Sequence, residues 1–556
     1  MEKGAKKSWW KFLLLALVTL GIYLPSVQFG YVDYDDPAHI SGNPYVKQGL
    51  SADSVRWAWT YAASAAQIKE GLYEGVTNLW HPLSWMSHML DADIWGMDSP
   101  GGHHLTSVLL HLASVLLVYL VFARLFGSQW VGLFTALLFA VHPLHVEPVA
   151  WLSARKDQLS CLFMFSSLYA YLRIPAQARR GIDWWKAGSV LLYAAALCSK
   201  PSVVVMPALL LLIDYKRGDL KLAEGGSLSS LYNTGLEIIR TKWLWILPAV
   251  LAAVLTFATQ SGGSHAFWIE QSSISGRLQL FAPATWYYLL RSFIPIDLSF
   301  HYPRPAWVMQ PWLIVTSAAL LVAAVAASYR GRKKFPAVWF GVVWFFVLLL
   351  PVSGLAYVGS SFTADRYMYT ALTGMFAALA CGMERWLPTM PRRVIGATII
   401  AALSLMSFAQ LAHWKDSASL FTHAIKAQPH DITGYVNMGS LRQRQGDYQL
   451  AARYYLQALE LNKNDYVSWF NLGNCRRHQS DEQGAIQAYR KSLEIYPHYS
   501  PSRFNLAHLL LNPSSRYHDL NAAVQLLEEL KASANYRPDK VKILWDTAQE
   551  LKRLQR

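Results

Sequence analysis

A series of apolar stretches, each near bilayer length or slightly short of it, runs through the first 412 of the 556 residues. After a first stretch that follows a basic start, they fall at about 104–123, 129–144, 157–174, 187–199, 201–214, 243–259, 309–328, 336–352, 367–383 and 394–411. A further one at 278–295, "LQLFAPATWYYLLRSFIP", carries two prolines and an arginine. Only 15% of the chain is charged, against about 25% in soluble domains. The pattern predicts an all-α protein whose larger part is a polytopic membrane helical bundle. Its net charge of +15 does not point to nucleic acid, because Lys and Arg sit in short clusters between apolar runs, where they set topology. Cys161, Cys198, Cys381 and Cys475 have no metal-ligand spacing, and three lie in apolar runs as buried thiols would. The N-terminal "MEKGAKKSWWKFLLLALVTLGIYLPSV" has no small-residue cleavage site after it, which predicts a retained first helix.

Charge fixes the expected topology. With Lys3, Lys6, Lys7 and Lys11 cytoplasmic, the Arg173–Lys186 and Lys216–Lys242 loops are cytoplasmic too. A full crossing at 278–295 would place Arg330–Lys334 and Arg385–Arg393 outside, against the positive-inside rule. A segment that dips in and returns keeps both clusters inside, giving about eleven spans and an outer C-terminus. Four loops then share the non-cytoplasmic face: Asp33–Asp36, 142–157 ("HPLHVEPVAWLSARKD"), 198–202 and 361–369. Polar residues gathered on one face of a bundle predict one cavity.

Beyond residue 410 the composition changes. Tyr435/Trp469, Met438/Leu472, Gly439/Gly473, Ala451/Ala485 and Tyr455/Tyr489 recur at a spacing of 34, and Pro497 adds a sixth signature position. This is similar to the tetratricopeptide repeat, a helix–turn–helix unit that stacks into an α-solenoid. A half repeat precedes these two, and a degenerate third follows at about 499–533. The expected domains are therefore 1–412 in the membrane, with a first outer loop at 30–102, and 413–556 as repeats. The concave surface, with Tyr435, Asn437, Trp469, Asn471 and Asn505, is the expected groove for an acceptor peptide, although so short an array could also simply brace the membrane domain.

Several residues have chemistry in excess of packing. "YVDYDDP" puts Asp33, Asp35 and Asp36 where an apolar segment ends; neighbouring carboxylates raise one another's pKa towards the range of a useful base. The alternative is a wetted helix exit. "NLWHPLSWMSHMLD" (78–91), with His81, suits a helix in the interface plane. His142, His145 and Glu147 have a His-x-x-His-x-Glu spacing, but Pro143 and Pro148 interrupt it, so a divalent metal is possible there but not expected. Arg155, Lys200 and Arg366 stand near hydrocarbon, where each costs about 2.5–3.5 kcal/mol unless partnered. A phosphate is the natural partner.

The order of these pieces resembles the transmembrane-and-tetratricopeptide-repeat family of protein O-mannosyltransferases, over nearly the whole chain. The most specific parts are the Asp-Asp after the first helix, "VHPLHVEPVAW" and the Asp-Arg-Tyr at 365–367. Where the family pattern usually has Glu-Arg, this chain has Asp365-Arg366, and Lys200 lacks the acidic neighbour often present. The resemblance implies an integral-membrane glycosyltransferase of the GT-C class that uses a polyprenyl-phosphate sugar, with no essential cofactor. It implies Asp35 or Asp36 as the base that activates an acceptor Ser or Thr, with inversion at the sugar. Arg366, helped by Lys200 or Arg155, would hold the leaving phosphate, while Asp33, His81, His142, His145 and Glu147 would line the substrate. The expected location is a bacterial inner membrane with periplasmic repeats, or an endoplasmic reticulum membrane with luminal ones. Two alternatives remain at this stage: a transferase of lipid-linked oligosaccharides, and a membrane scaffold that gathers partners on its repeats.

Overall fold

The computed structural model describes residues 9–64, 80–174, 183–220, 228–260, 274–355, 361–532 and 536–554. Lys3, Lys6 and Lys7 and the first two residues of the 78–91 stretch lie outside them. Among the described residues every regular element is a helix. The chain forms two compact units: Met1–Val32, His39–Ala63 and Thr77–Asp416 make one, and Asp33–Ala38, Ser64–Val76 and Ser417–Arg556 make the other. The division between the two units lies at Asp416/Ser417, and the acidic stretch, counted above with the membrane part, clusters with the repeats.

The first unit contains α1 (Trp9–Tyr23), α2 (Ala52–Ser64), α3 (Pro82–Trp95), α4 (Pro100–Phe126), α5 (Gln129–Val141), α6 (Arg155–Tyr171), α7 (Trp184–Ser199) and α8 (Met206–Arg217). It continues with α9 (Leu228–Gln260), α10 (Ile274–Phe293), α11 (Pro311–Arg330), α12 (Pro336–Leu349), α13 (Met368–Trp386) and α14 (Thr389–Ala412). Every apolar stretch read from the sequence is helical. Among the described residues five spans are long and apolar enough to cross a membrane alone, and six if α5 and the short turns Pro143–Ala150, bent by 63°, count as one. The expected spans at α6, α7, α8 and α12 are helices of 17, 16, 12 and 14 residues, short of the roughly 20 a bilayer core needs, so length and apolarity alone do not yield eleven.

The segment at 278–295 departs from expectation. It is one helix, α10, with Pro283 inside, and does not turn back within its own length. Its C-terminal end lies with the 142–157 loop, where the Ser292 carbonyl accepts from His142 Nε2 at 3.0 Å.

Small residues let the membrane helices approach closely, as packing without a hydrophobic driving force requires. A Cβ on Gly132 of α5 would meet Ala123 Cβ of α4 at 2.5 Å, and one on Gly341 of α12 would meet the Gly374 carbonyl of α13 at 2.7 Å. Side chains of α11 such as Val315 and Leu320 stay exposed, a face suited to lipid. At one end of the bundle the basic clusters meet: Arg385 Nη1 donates to the Lys334 carbonyl at 3.0 Å, and Ser128 Oγ to Glu384 at 2.8 Å. The opposite end carries the loops 142–157, 198–202 and 361–369.

The second unit stacks α15 (Ser417–Ala427), α16 (Ile432–Arg444), α17 (Tyr448–Leu461), α18 (Tyr466–His478), α19 (Glu482–Ile495), α20 (Ser500–Leu510), α21 (Leu520–Ala532) and α22 (Pro538–Leu554). The 34-residue signature has a steric cause. A Cβ on Gly439 would meet the Tyr455 ring at 2.8 Å, and one on Gly473 the Tyr489 ring at 2.6 Å. Asp431, Asp447, Asp465 and Asp481 each accept a backbone N–H as N-caps of α16 to α19, two series again 34 apart. The sequence reading overlooked these aspartates.

Candidate functional site

At the loop-bearing end of the first unit, three loops are tied together by charge. The turn after α5 presents Glu147, and the one before α13 presents Arg366. Arg366 Nη1 donates to Glu147 Oε1 at 2.6 Å, and its backbone N–H to Oε2 at 2.9 Å. The guanidinium also lies over Trp151 and Tyr367, with ring centroids at 5.3 and 5.1 Å. Lys200, at the end of α7, reaches Asp157 in the first turn of α6 at 2.5 Å, with the Tyr367 ring 5.3 Å from its ammonium. Asp157, Ser160, Lys200, Ser202, Arg366 and Tyr367 line one small polar cavity. Asp157 Oδ2 is buried there without a hydrogen-bond partner.

Behind Arg366 the network continues. Tyr302 Oη lies 2.9 Å from both carboxylate oxygens of Asp365, and Arg291 Nη1 donates to that hydroxyl at 2.8 Å. Burial, followed by the charge of Glu147, pushes the Asp365 carboxyl up to about 8. The Ala364 N–H donates to Tyr288 Oη at 3.1 Å. This lattice fixes the Asp365-Arg366-Tyr367 turn from behind, as a site that binds a charged group requires.

Arg155 stands elsewhere. Its side chain is fully buried, and Nη1 donates to Asp91 of α3 and Ser87, while Nη2 donates to the His103 carbonyl at 2.6 Å and Ser107 at 3.2 Å. Of the three cations read as phosphate ligands, the structure brings Lys200 and Arg366 to one cavity and seals Arg155 between α3 and α4. All three have carboxylate partners, where the sequence reading looked to phosphate alone. The acids Glu147, Asp157 and Asp91 were in quoted motifs, but nothing in their spacing gave the pairing.

The expected substrate-lining histidines are held by backbone or rings. His142 Nε2 bonds to the Ser292 carbonyl, and His145 Nδ1 to the Phe139 carbonyl at 2.7 Å. These two do not converge with Glu147, which Arg366 occupies. His142 does line an apolar cavity of about 880 Å³, walled by Leu138, Phe293, Val342, Phe376, Leu403 and others of α5, α10, α12, α13 and α14. His81 stands at the N-cap position of α3 without a side-chain capping bond, and packs on Trp85 (4.9 Å between centroids) and His39 (6.2 Å). Burial, with Lys156 nearby, pushes His39 down to about 3 and His81 well below its ordinary value, so both are neutral.

In the second unit, the Asp33 backbone N–H donates to Ser417 Oγ at 2.8 Å, and its carboxylate meets Arg444 at 3.1 Å. Asp36 is buried and Asp35 half-buried. Along the repeats, Tyr435 Oη donates to the Pro429 carbonyl (3.2 Å), Asn437 to the Thr433 carbonyl (2.8 Å) and Trp469 Nε1 to the Lys463 carbonyl (2.9 Å). Asn471 is half-buried, and Asn505 Nδ2 donates to Asn474 Oδ1 at 2.7 Å. Asn437, Asn471 and Asn505 recur at successive intervals of 34 on the first helices of three repeats.

Comparison with known proteins bears on both units. Residues 96–245 match the family described as dolichyl-phosphate-mannose-protein mannosyltransferase, and 436–500 match the tetratricopeptide repeat. A Drosophila melanogaster protein named protein O-mannosyl-transferase Tmtc2 is 31% identical over 205 residues, 35% of this chain and 21% of that one. The human protein O-mannosyl-transferase TMTC4 is 23% identical over 434 residues, covering 68% of this chain and 57% of its own length. The Mus musculus TMTC4 is 22% identical over 496 residues, 80% of this chain and 66% of that one. The matches therefore span less than two thirds of these relatives.

Proposed function

We propose that this chain, an integral membrane protein similar to the transmembrane-and-tetratricopeptide-repeat O-mannosyltransferases in both of its parts, transfers a mannose-like hexose from a polyprenyl phosphate to Ser or Thr hydroxyls of an acceptor protein. The observation that carries this reading is the cavity where Arg366 and Lys200 meet, each held on a carboxylate and each still partly exposed. Two cations oriented in advance, beside helices that exclude water, suit a phosphate whose negative charge grows as the sugar leaves. The apolar cavity beside His142 has the volume and lining for a lipid chain.

In this mechanism a carboxylate of the acidic stretch takes the acceptor hydroxyl proton as its oxygen attacks the anomeric carbon. Asp35, more exposed than Asp36, is the better placed of the two to reach a substrate. The bond from that carbon to the phosphate oxygen breaks, the sugar configuration inverts, and polyprenyl phosphate departs with both bonding electrons. Arg366 and Lys200 stabilise it. Arg155, sealed on Asp91, positions helices and does not meet the donor. The repeats present the acceptor on the non-cytoplasmic face.

The test is sugar transfer by the purified full chain in detergent, with polyprenyl-phosphate mannose or glucose and a pool of Ser/Thr peptides. Transfer that Asp35→Asn or Asp36→Asn abolishes, while the variant still binds donor, supports the reading. Equal transfer by both variants returns the acids to a wetted turn. Absence of transfer from any monophosphate donor favours an oligosaccharide transferase or a scaffold.

A further inference from the structure

We propose that His88, Asp91 and His103 form a binding site for a divalent transition-metal cation that pins α3 to α4. One ring nitrogen of each histidine and a carboxylate oxygen of Asp91 all lie within 4.8 Å of one another, and all three residues are buried. His88 and Asp91 stand three residues apart, one above the other on α3, and His103 faces them from the first turn of α4. Two histidines and one carboxylate are a donor set that suits zinc, with a fourth position open.

The hydrogen bonding at His103 points to a cation. Its Nε2 lies 3.3 Å from the Gly96 carbonyl, which can only accept, so Nε2 bears the proton. In the neutral ring Nδ1 then carries a lone pair, and it points at Asp91 Oδ2 from 3.5 Å. Two lone pairs facing each other in a dry site repel unless a positive species sits between them. The arrangement matches a metal-bound imidazole, which donates its other N–H to a backbone carbonyl and so fixes the tautomer.

A proton on His103 is the rival explanation, but it satisfies only one of two orphans. His88 Nδ1 is also buried without a hydrogen-bond partner, as is His103 Nδ1. A cation bound through Nδ1 of both rings would satisfy both. Asp91 is already oriented for ligation: Thr106 Oγ1 donates to Oδ1 at 2.7 Å, and Arg155 holds Oδ2. With Arg155 alongside and one carboxylate in the set, positive charge is in excess, so the open position favours hydroxide or another anion. The His-x-x-His-x-Glu motif, the sequence's own candidate for metal, is a different place, with its members held by carbonyls and Arg366.

The site is tested by measuring metal content in the full chain, purified without a histidine tag, stripped with chelator and reloaded with Zn²⁺ or Co²⁺. The expected result is one metal per chain, visible absorption bands with Co²⁺, and a melting temperature that chelator lowers. His88→Ala and His103→Ala should each lose the metal and the chelator effect, whereas His104→Ala, a buried histidine outside the set, should keep both. Failure of the wild type to retain stoichiometric metal after gel filtration overturns the proposal and leaves His103 as an imidazolium. Retention by either His88→Ala or His103→Ala, with unchanged Co²⁺ bands, overturns it as well. The wild-type arm decides even if a variant fails to fold. None of these readouts requires sugar transfer.

Discussion

Arg155 and Arg366 invite comparison because the sequence presents them alike: each is an arginine at the edge of an apolar stretch. Their settings differ. Arg155 and Asp91 are 0% and 2% exposed, whereas Arg366 keeps 18% of its side chain open beside a buried Glu147. A cation whose two terminal nitrogens both donate to carboxylate, carbonyl and hydroxyl oxygens has most of its electrostatic needs met by the fold. One held on a carboxylate but still open has a place for a further anion. Exposure of the cation, and not its identity, separates the two settings.

The sharpest way to break this comparison is Arg155→Ala. Removing one partner of a sealed pair takes the guanidinium from Asp91, and in the metal-stripped chain about 3–5 kcal/mol of stability should go with it. Denaturant or thermal unfolding in detergent measures this, and a loss below about 1 kcal/mol would put the pair in the class of surface bridges. Arg366→Ala should show the opposite pattern. Transfer should fall by about 10²–10³ in kcat with a much smaller change in melting temperature. Arg366→Lys keeps the charge but not the fork that grips Glu147, and should recover only part of the rate.

A smaller effect concerns the open pair's neighbour. Asp365 has a raised carboxyl pKa of about 8 from burial. The unfolded chain releases that proton at about pH 4, so between about pH 4 and 8 the fold binds more protons than the unfolded state. Stability from this group is full below about pH 4 and is lost as pH rises through about 8. Asp365→Asn should flatten that decline in melting temperature, while Arg155→Ala should leave its slope in place. The smallest effect concerns the second unit. Asp465→Ala removes the side-chain cap of α18 and should cost about 0.5–2 kcal/mol, read as a lower melting point of the repeats with transfer chemistry untouched.

Legibility in the sequence followed the range of the interactions. The repeats were readable because the constraint is local and periodic: Gly439 must clear Tyr455 sixteen residues on, and Gly473 must clear Tyr489 in the same way. The apolar helices were readable for the same reason. The cations stood out because charge near hydrocarbon is costly wherever it occurs. Their partners did not, since Glu147 and Arg366 are 219 positions apart, Asp91 and Arg155 64, and Asp157 and Lys200 43. No local pattern encodes such pairings. The dip expected at 278–295 was inferred from the charge of the flanking loops, a global argument, whereas locally one helix of 20 residues runs through Pro283. The triplet at His88, Asp91 and His103 was missed because its ligands come from two helices, with Gly96 at the turn between them.

The tie between Asp33 and Ser417 has a consequence in time. It joins positions 384 residues apart, one just past the first helix and the other at the start of the repeats. A ribosome adding about 5–20 residues per second needs roughly 20–80 s to make the chain between them. For all of that interval the acidic stretch has been synthesised but lacks its final neighbours. The neighbourhood of Asp33 is therefore completed only once Ser417 has emerged, and a chain truncated before that residue would lack this tie.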